Sequence, residues 1–100
     1  MHTLHIALHD GFTDDIVTIR VNGREVFRKS HVRTDLRLSR ADGVDVQVDS
    51  TKALVEVAVD PGELLKSTEV DLSKTPNLAI SREKDIGITF APQSEAFRYM

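Results

Sequence analysis

Apolar residues recur at every second position through almost the whole chain, and that period constrains the fold more than any other feature. Leu4, Ile6 and Leu8 alternate with His5, Ala7 and His9. Val17, Ile19 and Val21 alternate with Thr18 and Arg20, and Val32, Leu36 and Leu38 share a parity against Arg33, Asp35 and Arg37. The same pattern returns at Val44-Val46-Val48, Val55-Val57-Val59, Val70-Leu72, Leu78-Ile80 and Ile86-Ile88-Phe90. Side chains of a strand point alternately to its two faces, so each run buries one face and wets the other. Valine and isoleucine dominate the buried parity, as β-branched residues do in strands.

Turn signals separate the runs at intervals of roughly 8–12 residues, the spacing of a sandwich or barrel. They are Asp10-Gly11, Asn22-Gly23, Asp42-Gly43, Asp60-Pro61-Gly62 and Thr75-Pro76-Asn77. Asn22-Gly23 is the sharpest, because a type I′ hairpin needs positive φ at both central residues. That hairpin predicts Val21 opposite Arg24, Arg20 opposite Glu25 and Ile19 opposite Val26. It would leave Phe27 opposite Thr18, on the exposed side. Pro61 to Lys66 could form one helical turn, capped by Asp60. The expected fold is therefore all-β: a two-sheet antiparallel β-sandwich of about eight short strands, with a small β-barrel as the alternative.

One hundred residues suffice for one core, so positions 1–100 are expected to form a single domain. With 40% hydrophobic and 29% charged residues, the chain is too apolar to be disordered. Cysteine is absent, which excludes a disulfide framework and thiolate metal sites. No apolar run approaches the ~20 residues of a membrane-spanning helix, and the first residues lack a secretory signal. With Met1 as the native start, a cytoplasmic location is expected.

Charge is unevenly distributed along the chain. Between Arg20 and Arg40 seven basic residues face only Glu25 and Asp35. Between Ala41 and Leu72 eight acids face only Lys52 and Lys66. The basic stretch reads as a ribbon for an acidic partner, or as a solvated face whose ion pairs cross to neighbouring acidic strands. Arg20, Arg33 and Arg37 on solvent parity, with Phe27 as an exposed aromatic, are the expected binding residues. The overall acidity and the shortage of aromatics argue against general nucleic-acid binding.

No residue constellation rises to a catalytic or cofactor signature. Asp10, Asp14 and Asp15, joined by Asp42, offer hard oxygen ligands of the kind calcium takes, without an EF-hand pattern. The competing reading makes them turn residues bonded to local backbone. His5 and His9 lie four residues apart on one strand, roughly 13 Å, too far to chelate one ion together. No serine sits in a Gly-x-Ser-x-Gly elbow and no glycine-rich phosphate loop is present. A hydrolase or isomerase would have to use His5, His9 and Asp10.

The segment from Phe12 through the Asp15-x-Val17-x-Ile19-x-Val21-Asn22-Gly23 hairpin to Phe27, followed by Val32-Arg-Thr34-Asp and Ala41-Asp42-Gly-Val44-Asp-Val46, resembles a family of short uncharacterised bacterial β-sandwich proteins. The resemblance covers most of the chain, from Phe12 to about Tyr99, and implies the sandwich fold without any known activity. A fainter likeness is to calcium-dependent carbohydrate-binding sandwiches. The function expected first is a non-catalytic binding or assembly module that engages itself or a protein partner. A calcium-dependent ligand-binding module is the second expectation, and a small hydrolase or isomerase the third.

Overall fold

Each alternating run becomes a strand. The computed structural model describes residues 2–34, 42–60, 64–83 and 87–95. The strands are β1 (His2–Leu8), β2 (Thr13–Val21), β3 (Arg24–Arg33), β4 (Asp42–Val48), β5 (Lys52–Asp60), β6 (Leu64–Asp71), β7 (Asn77–Glu83) and β8 (Gly87–Gln93). One sheet has the order β4-β1-β7-β8 and the other β3-β2-β5-β6. The hairpins β2–β3, β5–β6 and β7–β8 each stay within a sheet, while the other connections pass between sheets. The two ladders are separate, so the fold is a sandwich and not a barrel. Among the described residues no helix is long and apolar enough to cross a membrane.

The core lies where the two inner faces meet. Leu4, Ile6, Leu8, Leu78, Ile80 and Ile88 come from one sheet; Val17, Ile19, Val55, Val57, Val59 and Val70 come from the other. All of them are buried. Each fully buried aliphatic side chain of this size contributes roughly 1.5–3 kcal/mol.

Three local expectations change. The pairing of β1 with β7 is parallel, whereas the remaining pairs are antiparallel. Parallel neighbours need a long crossover, and here the chain runs through five other strands before β7. The Asn22-Gly23 turn has φ of 52° and 81°, and Val21↔Arg24 and Arg20↔Glu25 pair as expected. A bulge then shifts the register, so that Ile19 faces Phe27 and Thr18 faces Arg28. The extra residue lets Val26 and Phe27 both pack on the core. Phe27 is accordingly half-buried and not an exposed aromatic. Finally, Lys66, expected in a helical turn, lies in β6; residues 61–63 lie outside the described residues.

A buried ion pair joins the two sheets. Asp15 on β2 is 1% exposed, and its Oδ1 lies 2.6 Å from Arg82 Nη1 on β7. Its second oxygen accepts the Thr13 backbone N–H at 3.0 Å. The loop between β1 and β2 is fastened around this pair. The Arg82 N–H donates to the Asp10 carbonyl, and the His9 N–H donates to the Ile80 carbonyl, both at 2.8 Å. The Phe12 N–H donates to Thr34 Oγ1, whose hydroxyl donates to the His9 carbonyl. Gly11 is needed here: its φ is +88°, and a Cβ would stand 1.7 Å from the Arg82 carbonyl oxygen.

Asp71 organises the turn after β6. The Ser73 hydroxyl donates to its Oδ1 at 2.6 Å and the Ser73 N–H at 3.0 Å. These two bonds, the hydroxyl first, hold the Asp71 carboxyl below the usual carboxylate range.

Two outcomes follow from these contacts. Arg82→Met leaves the Asp15 carboxylate buried without its cation, so urea unfolding should show a loss of about 3 kcal/mol. A loss within the ~1 kcal/mol typical of an exposed pair would contradict the role given to it. Ser73→Ala should move the Asp71 carboxyl up toward its ordinary range in an NMR titration. Because the folded value is depressed, the turn's stabilisation is complete above the unfolded carboxylate value. It is lost as pH falls through the folded one. An unmoved Asp71 titration in the variant would contradict the assignment.

Candidate functional site

A sandwich of two open sheets has two lateral sides, and here they differ. On one side β6 and β8 approach closely. Lys66 Nζ donates to the Ile88 carbonyl at 3.0 Å and stands 5.9 Å from the centroid of the Phe90 ring. On the other side β3 and β4 are joined at one end, where Lys29 Nζ meets Asp42 Oδ2 at 2.5 Å. Beyond that contact the two edges continue toward the Asn22-Gly23 turn. The space between them is a cleft of about 600 Å³. Val21 and Val26 line it from one sheet, and Val44, Val46 and Val48 from the other. Val26, Val44 and Val46 are only partly buried.

The two walls differ in charge: β3 lines the cleft with Arg24 beside Glu25, whereas the opposite wall carries Asp45 and Asp49. Along its whole length β3 has Arg24, Arg28, Lys29 and Arg33 with one acid, Glu25, which lies 3.6 Å from Arg28. β4 presents Asp42 and Asp45 with no base, and Asp49 follows it. The basic segment of the sequence thus contributes β3 to the cleft, and the acidic segment contributes β4 opposite it but also β5 and β6 in the same sheet as β3. Asp45 is also held by β1, since its Oδ1 lies 2.7 Å from His5 Nδ1.

The expected binding residues do not form one patch. Arg33 is exposed at the end of β3. Arg20 lies on the outer face of the β3-β2-β5-β6 sheet. There it lines a shallow basin of about 180 Å³ with Thr18, Arg28, Glu56 and Leu65. Leu65 is 73% exposed in that basin. Phe27 belongs to the core margin for the reason given above. Arg37 lies outside the described residues.

The four carboxylates considered for calcium are drawn apart. Asp15 is buried against Arg82, Asp42 meets Lys29, and Asp14 Oδ1 lies 2.7 Å from His31 Nδ1. Asp10 is exposed, and its backbone carbonyl is taken by Arg82. Among the described residues no group of three histidine or acidic side chains could hold a metal ion. The calcium reading therefore loses its ligand set: two of its four members neutralise cations. The Asp14–His31 pair has its own cause. Both residues have positive φ, 70° and 57°, where the β2–β3 register shifts. Such bulges aim side chains off the regular pleat, and Asp and His tolerate this backbone region better than most residues.

The histidine and carboxylate proposed for catalysis are similarly separated in their partners. His5 engages Asp45, while His9 and Asp10 sit in the loop held by Ile80 and Arg82 backbone. The cleft itself was not expected from sequence. Its signal was present in the half-buried valines of two strands carrying opposite charge, but only the strand order reveals that they are neighbouring edges.

No family model, no curated protein and no solved structure matches the chain.

The Lys29–Asp42 pair is partly exposed, at 54% and 26%, so its energetic contribution should be modest. A double-mutant cycle with Lys29→Ala and Asp42→Ala should give a coupling of about 0.5 kcal/mol. A coupling above roughly 2 kcal/mol would mark the pair as a structural lock on that side.

Proposed function

We propose that the chain is a non-catalytic association module that holds a polypeptide against the open side of its sandwich, between β3 and β4. The observation that carries this reading is a cleft of about 600 Å³ between two sheet edges, with half-buried Val26, Val44 and Val46 on its walls and Asp45 and Asp49 on one rim. An edge strand has a row of backbone groups with no ladder partner on its outer side, and adding a strand to such an edge is a common mode of peptide recognition. Half-buried valines supply the apolar contact that fixes a bound segment, and charged rims set its orientation. The opposite side suits this role less well, because Lys66 closes it by bonding across to β8.

A photoreactive side chain tests the reading. Gln47 is exposed on the acidic wall, and Ser67 is exposed on β6, far from it in the sheet order. In the native host extract, illumination of the Gln47-labelled protein should give a discrete adduct with one polypeptide. The Ser67-labelled protein should not give that adduct. Equal labelling from both positions, or none from Gln47, would contradict the proposal.

A further inference from the structure

We propose that Asn22 is a site of spontaneous deamidation, and that the hydrogen bond its side chain accepts from the Leu54 backbone N–H gates the reaction.

The chemistry begins with the dipeptide. Asn22 is followed by Gly23. Once a base removes its proton, the Gly23 amide nitrogen can attack Cγ of Asn22. The new N–Cγ bond closes a cyclic imide, the Cγ–Nδ2 bond breaks, and that nitrogen leaves as ammonia. Water then opens the imide at either carbonyl, giving aspartate or isoaspartate. A side chain on the second residue would crowd the attacking nitrogen, and glycine has none. Both residues are exposed, and a Cβ built on Gly23 would meet nothing within 4 Å. Base and water therefore have free access to the turn.

The fold holds the reaction off by another route. φ is 52° at Asn22 and 81° at Gly23, the positive pair of a type I′ turn. The Asn22 N–H donates to the Leu54 carbonyl, and the Leu54 N–H donates to Asn22 Oδ1, both at 2.9 Å. Paired residues of antiparallel strands exchange two such bonds through their backbones. Here the turn redirects the Asn22 carbonyl, and the side-chain oxygen takes its place. The β2–β5 ladder ends at Val21↔Val55, so Asn22 extends that contact by one residue. Ring closure requires Cγ to turn onto the Gly23 nitrogen. The Leu54 bond opposes this rotation, because it fixes the amide toward β5. Deamidation therefore proceeds from molecules whose hairpin tip has opened, at a rate scaled by the open fraction.

The product changes two features of the molecule. Isoaspartate lengthens the main chain in the turn that sets Val21 opposite Arg24. Either product also puts a carboxylate at a position that lines the cleft.

Peptide mapping by mass spectrometry tests the proposal on the full chain, kept in mildly alkaline buffer with and without denaturing urea. The folded wild type should lose the Asn22 amide at least about tenfold more slowly than the unfolded chain. Leu54→Pro removes the N–H that holds Oδ1, and in its folded form should deamidate about threefold faster than the folded wild type, or more. A second measurement needs no variant. Hydrogen exchange at the wild-type Leu54 amide should be slowed by a factor within about tenfold of the suppression of deamidation, since one opening controls both. A folded rate equal to or above the unfolded rate would overturn the proposal. A Leu54 amide that exchanges freely while deamidation stays suppressed would do the same, as would a folded Leu54→Pro protein no faster than the wild type.

Discussion

The contact between Asp15 and Arg82 ties the two sheets to one another, and the rest of the architecture is arranged around it. A carboxylate that is 1% exposed is tolerated only with a cation and a further donor, and it has both. Arg82 serves twice, because its backbone N–H and carbonyl also meet the loop between β1 and β2. The loop must therefore run over β7 at close range, which is why position 11 is glycine. Thr34 secures the same loop from the end of β3, so that β1, β2, β3 and β7 meet at one corner. Buried pairs of this kind are an uncertain source of net stability but a strong source of registration. Moving β7 by one residue would leave the buried Asp15 carboxylate without its cation.

Fastening the sandwich at that corner leaves its two sides unequal. Among the described residues, Lys66 bridges the β6–β8 side, and Lys29 with Asp42 bridges the β3–β4 side at one end of the cleft. A basic stretch precedes an acidic one in sequence, and the crossover from β3 to β4 carries the chain from one sheet to the other with Asp42, Asp45 and Asp49. The later acids Glu56, Asp60, Glu69 and Asp71 return to β5 and β6, in the same sheet as β3, so the charge separation seen along the chain is only partly kept in space.

Much of the fold was legible because period two is a local property. The strands, the Asn22-Gly23 turn and most of the core follow from parity and turn chemistry alone. Sequence and structure differ where one residue breaks the period. The bulge at Val26 placed Phe27 inward, and parity cannot foresee an inserted residue. Asp15 is more instructive. It shares the buried parity of Val17 and Ile19, and Arg82 shares that of Leu78 and Ile80. An acid and a base on buried parities signal a potential ion pair, which the run of acids around Asp15 obscures. The site was harder to read than the fold. Which strands become edges depends on sheet order, and sheet order depends on long-range pairing that no local pattern contains.

The corner built on Asp15 and Arg82 is tested most directly by amide hydrogen exchange in an Arg82→Met variant, which reads each bond of the corner separately. The amides of His9, Phe12 and Thr34, which bond across that corner, should lose protection well before those of β5 and β6. Loss of protection spread evenly over all strands, or none at the corner, would contradict the role given to the pair.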